Sequence, residues 1–399
     1  MKPETTPGAK TQAPRKRVCM IAYTNYVRDG RVRLEAEALV SWGHEVVFLA
    51  LREGPRPRNY ELSGVTVNEL NVQKYQGKST ARYLLSYLMF TLLAFIACSR
   101  LFLQSRIQVV HVHNMPNFLV FAGLLPRLLG GRLILDVHDT VPETYATKFG
   151  TNSRLLRGLL QLEERICCGL AHRIICVNHV QREAVVQRGI PAEKIATIIS
   201  MPKFVSCNPD GNRRELGQAF RLVNHGTVSL RLGIDLIVRA VAELVREIPD
   251  FEFHLYGRGD DLEEITRLTE SLGITEYVRF RGVVPWDELP KELAAMDAGI
   301  VANRRNVATE LMLPLKLIDY VSLGIPAVVP RLRGIQYYFS EEMVSFFEPE
   351  NIASMKEAIL RLYLDKARRE RQIQTAKAFL EKYGWENQQH SLLGVYQNL

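Results

Sequence analysis

Twice along this chain, short apolar runs alternate with amphipathic stretches, and many of the apolar runs end in glycine or charge. That alternation constrains the fold more than any other feature, because strands joined by crossover helices pair in parallel. The first series starts at Arg17. VCMIAY reads as a buried strand, TNYVRDG as a loop containing Gly30, RVRLEAEALVSW as an amphipathic helix stopped by Gly43, and HEVVFLA as the next strand. Strands at Gln108 to His113 and Arg132 to Val137 follow, with the apolar helix FLVFAGLLPRLL between them. Helix LLRGLLQLEERICCGL, strand HRIICVN, helix VQREAVVQRG and a short strand in IPAEKIATII complete this half. The second series runs FRLVNHG, IDLIVRAVAELVREI, FEFHLYG, LEEITRLTESLG, YVRFRGVV, DELPKELAAM and DAGIVAN, strand and helix by turns. Between the halves, residues 200–218 gather Pro, Gly, Asn and charge, the composition of a linker. A chain of 399 residues has room for both units. The expected division is a basic tail at 1–16, an N-terminal domain at 17–203, a C-terminal domain at 204–383 and a last helix at 384–399.

The stretch Glu310 to Pro330, ELMLPLKLIDYVSLGIPAVVP, is the part most suggestive of a site. Pro314 suits the start of a helix, Gly324 its left-handed stop, and Pro326 bars continuation. Lys316, Asp319 and Ser322 share one face of that helix. A lysine in the first turn opposes the helix dipole, and a bound anion would relieve the conflict. An ordinary helix with a local Lys316–Asp319 pair explains the spacing equally well.

Ligands of open parallel sheets bind outside the carboxyl ends of the strands. His138, Asp139 and Glu143 follow one such end, and His138 is positioned to donate to a substrate oxygen or move a proton. Gly226 with Arg231, Gly257 with Arg258, and Asn303 with Arg304 and Arg305 follow others, where backbone N–H groups and guanidinium meet phosphate. The first loop lacks G-x-G-x-x-G, which argues against a dehydrogenase; Arg28, Asp29, Gly30 and Arg31 stand there instead, as a phosphate or acceptor loop or a solvated turn. The net charge of 51 − 43 = +8 fits an anionic ligand, a membrane surface or nucleic acid. Nucleic acid is disfavoured, because no recognition motif appears and the basic residues are spread among acidic ones.

Residues 83–99, YLLSYLMFTLLAFIACS, are the most apolar stretch. A membrane crossing there would separate the first two strands from QVVHVHN, with which they share a sheet, so the segment reads as a buried core helix or a membrane-surface helix. The cysteines form no C-x-x-C pair and no zinc spacing, which fits a reduced, cytoplasmic chain. The first residues are polar and Pro-rich without an apolar h-region, so they read as a disordered basic tail.

The motifs DGRVRLEAEALVSWGHEV, HDTVPE, HGTVSLRLGIDLIVRAV, YGRGDDLEEI, FRGVVPWDEL and LPLKLIDYVSLGIPAVVP, in that order, resemble the family 4 retaining glycosyltransferases of the GT-B fold, closest to bacterial members that build surface or extracellular polysaccharides. The resemblance runs from Arg17 onward. It implies two Rossmann-like parallel-sheet domains facing a central cleft. It also implies a nucleoside-diphosphate sugar donor, UDP- or GDP-linked, held by the C-terminal domain without a metal. Asp319 would bind the ribose, backbone at Val283 the base, and Gly226 and Thr227 the diphosphate. Arg231 and Lys316 would supply charge, with Arg258, Leu315 and Gly30 around the donor, and His138 beside the transferred sugar. The last helix would cross back to the first domain with Trp385 as its packing anchor. The charge of +8 and the apolar segment 83–99 add the expectation of a cytoplasmic enzyme that works at the inner face of the membrane on a lipid-linked saccharide acceptor. Three positions depart from the pattern. The first glutamate of the E-x₇-E pair falls on Leu311, with Glu310 one residue out of register, where a one-residue loop shift would restore it. The loop after Gly226 has Thr227 and Leu232 where the family has arginine and lysine. Asp319 is shorter than the family's glutamate. These departures keep open a catalytically silent member that binds a sugar nucleotide or a partner enzyme. A sugar-nucleotide epimerase of the same layout is a more distant alternative.

Overall fold

The strands bury both faces, which is why they read as continuous apolar runs. In β1 (Arg17–Ala22) every residue after Arg17 is buried. The computed structural model describes residues 15–54, 57–75, 79–149, 153–203 and 219–399. The expected tail therefore falls almost wholly outside the described residues, as do 204–218 of the linker.

The first sheet adds β2 (Glu45–Leu51), β3 (Asn59–Leu62), β4 (Val65–Leu70), β5 (Val109–His113), β6 (Arg132–Val137), β7 (Arg173–Cys176) and β8 (Ile195–Thr197). Its order is β3-β4-β2-β1-β5-β6-β7-β8, parallel throughout except that β3 runs antiparallel to β4. The second sheet holds β9 (Phe220–Thr227), β10 (Phe251–Arg258), β11 (Val278–Gly282), β12 (Ala298–Ile300), β13 (Ala327–Pro330) and β14 (Ser345–Phe347). All its pairings are parallel, in the order β11-β10-β9-β12-β13-β14. This is the doubled α/β architecture expected from the sequence.

Helices cover both sheets. Among them, α1 (Gly30–Ser41) follows β1, and the helix Trp385–Gln397 returns from the second domain to pack on α1 and β8. Trp385 is buried in one apolar cluster with Leu34 and Ala38 of α1 and residues of the second domain. Gln388 Oε1 accepts the Ile199 N–H at 2.8 Å, and the Tyr396 hydroxyl lies 3.0 Å from His111 Nδ1 on β5.

Two features differ from the sequence reading. The β3–β4 hairpin is not legible there, because edge strands such as NYEL alternate exposed and half-buried positions and carry no apolar run. The apolar segment forms α2 (Thr80–Ser105), and of its two readings, buried core helix or membrane-surface helix, the first holds for one face only. Phe90, Ala94 and Cys98 do face the core, and Tyr23 bonds Ser86 across 2.6 Å. However, Leu84, Leu85, Leu88, Met89 and Leu92 face outward, Leu85 being 61% exposed. Between Arg82 and Arg100 the helix is apolar on its outer side as well as its inner one, and among the described residues nothing covers that outer side. Pairing of β1 with β5 keeps the strands on either side of α2 in one sheet, as the argument against a crossing required.

Candidate active site

The two sheets aim their carboxyl ends at a shared cleft of about 770 Å³. Its second-domain wall is built where β9 and β10 end. Gly226 and Gly257 have φ of +104° and +124°, and a Cβ on Gly257 would collide with the Gly226 carbonyl oxygen. Only glycine lets these two strand ends run so close with their backbone turned into the cleft. Thr227 and Arg258 sit beside them, both exposed to the cleft.

The helix Leu315–Ser322 supplies the adjoining wall, with Pro314 at its N-cap. Pro314, Leu315, Lys316 and Asp319 all line the cleft. Lys316 Nζ donates to Asn224 Oδ1 at 3.2 Å, and its chain lies over Gly226, with Cε 3.9 Å from where a Cβ there would be. Burial pushes the Lys316 ammonium down to about 8, partly offset by Asp319. Burial also pushes the Asp319 carboxyl up to about 7, partly offset by Lys316. His225, 3.5 Å from Asp319 Oδ2, is pushed down to about 3 by burial and then by Lys316, so it is neutral. Burial thus brings the titrations of both groups close to neutral pH.

The first domain contributes the facing wall through Thr24, Asn25, Arg28, Asp29, Gly30 and Arg31. Gly30 begins α1, and a Cβ there would meet the Trp286 ring at 2.5 Å. The Arg33 guanidinium lies 5.5 Å from the same ring, so Trp286 braces one domain on the other.

A smaller cavity of about 200 Å³ continues from the cleft, sharing Arg31, Ser200, Pro314 and Leu315 with it. His138 and Asp139 line it. His138 follows β6, with its backbone N–H bonded to Asn114 Oδ1 at 2.7 Å. Its Nε2 lies 2.9 Å from Asp136 Oδ2, and His113 Nδ1 lies 2.9 Å from the same oxygen. Burial works against the Asp136 charge, but the two imidazoles hold its carboxyl below the ordinary range.

The structure therefore brings together Gly30, Gly226, Thr227, Arg258, Leu315, Lys316 and Asp319 in one cleft and His138 in its extension. Arg231, Val283 and Glu310 line neither cavity. Arg231 sits in a short 3-10 turn that points Leu232 into the cleft instead. Val283 is 58% exposed beyond the rim, while Trp286 farther along the same segment forms the wall. Glu310 accepts the Arg333 backbone N–H at 2.7 Å and pairs with Arg305 at 3.0 Å, and Leu311 lines the His138 cavity. The loop shift that would bring Glu310 inward is not what the chain adopts. Glu143 is likewise committed, to Arg188 at 3.0 Å.

Sequence reasoning passes over His111, His113 and Asp136, which read only as strand residues. Their signal is nevertheless present: three ionisable side chains inside buried strands demand partners. It also passes over Trp286, whereas Asn303, singled out at its strand end, is buried at the cleft wall with its Oδ1 unpartnered.

Comparison with known proteins bears on this geometry. Residues 30–199 match the glycosyl transferase 4-like domain, and residues 219–365 match the glycosyl transferases group 1 domain. One component of the human phosphatidylinositol N-acetylglucosaminyltransferase is 24% identical over 341 residues, covering 83% of this chain and 65% of that protein, so the match spans slightly under two thirds of that relative. Sucrose-phosphate synthase from Thermosynechococcus elongatus superposes with a TM-score of 0.78 at 18% identity, over 96% of this chain and 99% of that one. Anabaena HepE in complex with UDP-glucose gives 0.71 at 14% identity, over 96% and 100%. The structural likenesses speak to the fold. With both family models matched in order, one on each domain, the chain belongs to the family 4 glycosyltransferases of the GT-B fold, which take their sugar from a nucleotide-sugar donor.

Proposed function

We propose that this protein is a retaining hexosyltransferase. It moves a sugar from a UDP- or GDP-sugar to a lipid-linked saccharide, in the assembly of a surface or extracellular polysaccharide. The observation that carries the reading is the convergence of Gly226, Thr227, Arg258, Lys316 and Asp319 on one cleft that continues to His138. In this reading the diphosphate lies on the glycine backbone at β9 with Lys316 and Arg258 beside it. Positive charge there stabilises the leaving diphosphate in place of a metal. Asp319 accepts the ribose hydroxyls, and His138 meets the sugar, its imidazole held by Asp136. Retention follows when the acceptor attacks from the face the diphosphate leaves.

The acceptor and the location rest on a different feature. The outward leucines of α2 and the charge of +8 suit a cytoplasmic enzyme resting on the inner face of a membrane. HepE has been solved with UDP-glucose, and the human relative is named for a phosphatidylinositol acceptor; both favour the corresponding choices here.

The deciding experiment is a thermal-shift panel of UDP, GDP and ADP with their sugars, on wild type and Lys316→Ala, followed by transfer assays of His138→Ala and Asp319→Ala. Binding raises the midpoint as RT ln(1 + [L]/Kd). A shift with one nucleotide family, lost in Lys316→Ala, and transfer strongly reduced in the other two variants are expected. Full activity in both His138→Ala and Asp319→Ala would remove the site assignment. A second reading, a silent member that binds without turnover, is favoured by one observation. Leu311 and Leu232 line the cavities where the family carries charge. Binding without transfer or donor hydrolysis would select it.

A further inference from the structure

Glu35 of α1, His111 and His113 of β5 and Asp136 of β6 form a fully buried cluster whose side chains converge below the cleft. His111 and His113 are two apart on one strand and so share a face. One potential ligand atom from each residue falls within 4.8 Å of all the others. His111 Nε2 lies 3.9 Å from Glu35 Oε2 and 3.8 Å from Asp136 Oδ2. These separations are too long for hydrogen bonds. Glu35 Oε2, His111 Nε2 and Asp136 Oδ1 are buried without a partner.

The far side of the His111 ring is held. His111 Nδ1 is 3.0 Å from the Tyr396 hydroxyl, so with Nδ1–H as the donor its Nε2 presents a lone pair to the cluster. Metal-bound imidazoles are oriented in this way, by a partner on the other nitrogen. Two carboxyl groups and an imidazole lone pair turned on one buried space form a donor set that a cation would satisfy. Arg31 acts on Glu35 and Asp136 only from outside, since its guanidinium is paired with Asp29 at 3.1 Å.

We propose that Glu35, His111, His113 and Asp136 bind one divalent transition-metal ion, with zinc the best match to two imidazoles and two carboxylates. The ion ties α1, β5 and β6 together. It lies too deep to touch a donor, so it is a positioning centre and not part of the diphosphate site. Its reach to the chemistry is through Asp136, whose Oδ2 is also 2.9 Å from His138 Nε2.

The test uses the full-length, tag-free protein from zinc-replete growth. Elemental analysis is expected to give a stoichiometric quantity of zinc that survives dialysis, and Glu35→Gln and His111→Gln are expected to lose it. Stripping with a strong chelator should lower the Tm, and zinc should restore it. Cobalt added to the stripped protein should give the visible absorption of a tetrahedral site. Should either variant fail to fold, the wild-type stoichiometry and the cobalt spectrum still decide. Wild-type protein with only trace metal, whose Tm ignores both chelator and zinc, would overturn the proposal. So would zinc retained in full by folded Glu35→Gln and His111→Gln.

Discussion

The Lys316–Asp319 pair sets the most direct prediction at the scale of single residues. In the ligand-free protein Lys316 titrates near 8 and Asp319 near 7. A diphosphate favours the ammonium, so above pH 8 binding must take up a proton and affinity falls as pH rises. Ribose hydroxyls donate to the ionised carboxylate, so below pH 7 binding must release a proton and affinity falls as pH drops. A sugar nucleotide, whose own phosphates do not titrate in this window, should therefore bind best between pH 7 and 8. Calorimetry across pH 5.5 to 9.5 checks it. Lys316→Arg should flatten the alkaline limb and Asp319→Asn the acid limb. Lys316→Met should weaken binding by about 2 kcal/mol, roughly 30-fold, the range for a charge-assisted hydrogen bond. A flat wild-type profile would mean that neither group meets the donor. Much of this was legible in the sequence, because i, i+3 spacing after Pro314 fixes which side chains share a face. Glu310 was not legible, since its direction depends on a 3-10 turn and on Arg333 and Arg305 arriving from elsewhere.

At the scale of elements, the helices of the first domain carry the next prediction. α2 and the helix Arg154–Leu170 both pack on the 3-10 segment Asn117–Gly123 and leave apolar residues outside. On the second helix Leu155, Leu159, Leu162 and Ile166 recur at helical spacing and face solvent, Leu155 being 76% exposed, while Glu164, Cys167 and Cys168 are buried. An amphipathic pattern tells which residues share a stripe but not whether that stripe meets the core or an outside partner, so the sequence could not orient it. Arg82, Arg100, Arg154 and Arg157 are exposed on the same helices and suit anionic headgroups. Flotation with anionic vesicles should therefore carry the protein upward at low salt and less so at high salt. Leu85→Glu combined with Leu159→Glu should abolish flotation, because each immersed leucine contributes roughly 1.5–3 kcal/mol. Both positions are exposed, so the Tm should hold. A wild type that stays at the bottom at low salt, or a double variant that still floats, removes the membrane from the account.

At the scale of the whole molecule, the shape of the cleft depends on how the two domains that line it are set. The doubled βα order made both sheets readable in advance, because buried parallel strands are apolar along their whole length. The contact between them was hidden, since Gly30 and Trp286 are far apart in sequence and meet only in the fold. That contact is tight enough to test. Gly30 has no left-handed φ, so alanine suits its backbone, but the new methyl would fall 2.5 Å from the Trp286 ring. The ring must move, and with it the wall it forms above α1. Overpacking of this kind costs roughly 1–3 kcal/mol. Gly30→Ala should lower kcat/KM for transfer about tenfold, the equivalent of ~1.4 kcal/mol, with nucleotide affinity at the second domain nearly unchanged. The cause is separable by a double-mutant cycle. Trp286→Ala empties the space the methyl needs, so in that background Gly30→Ala should have little further effect. Additive losses in the double variant would mean that Gly30 acts through the donor or acceptor directly and that the brace between domains lies elsewhere. Losses that vanish beside Trp286→Ala would locate the control of domain setting at this one contact.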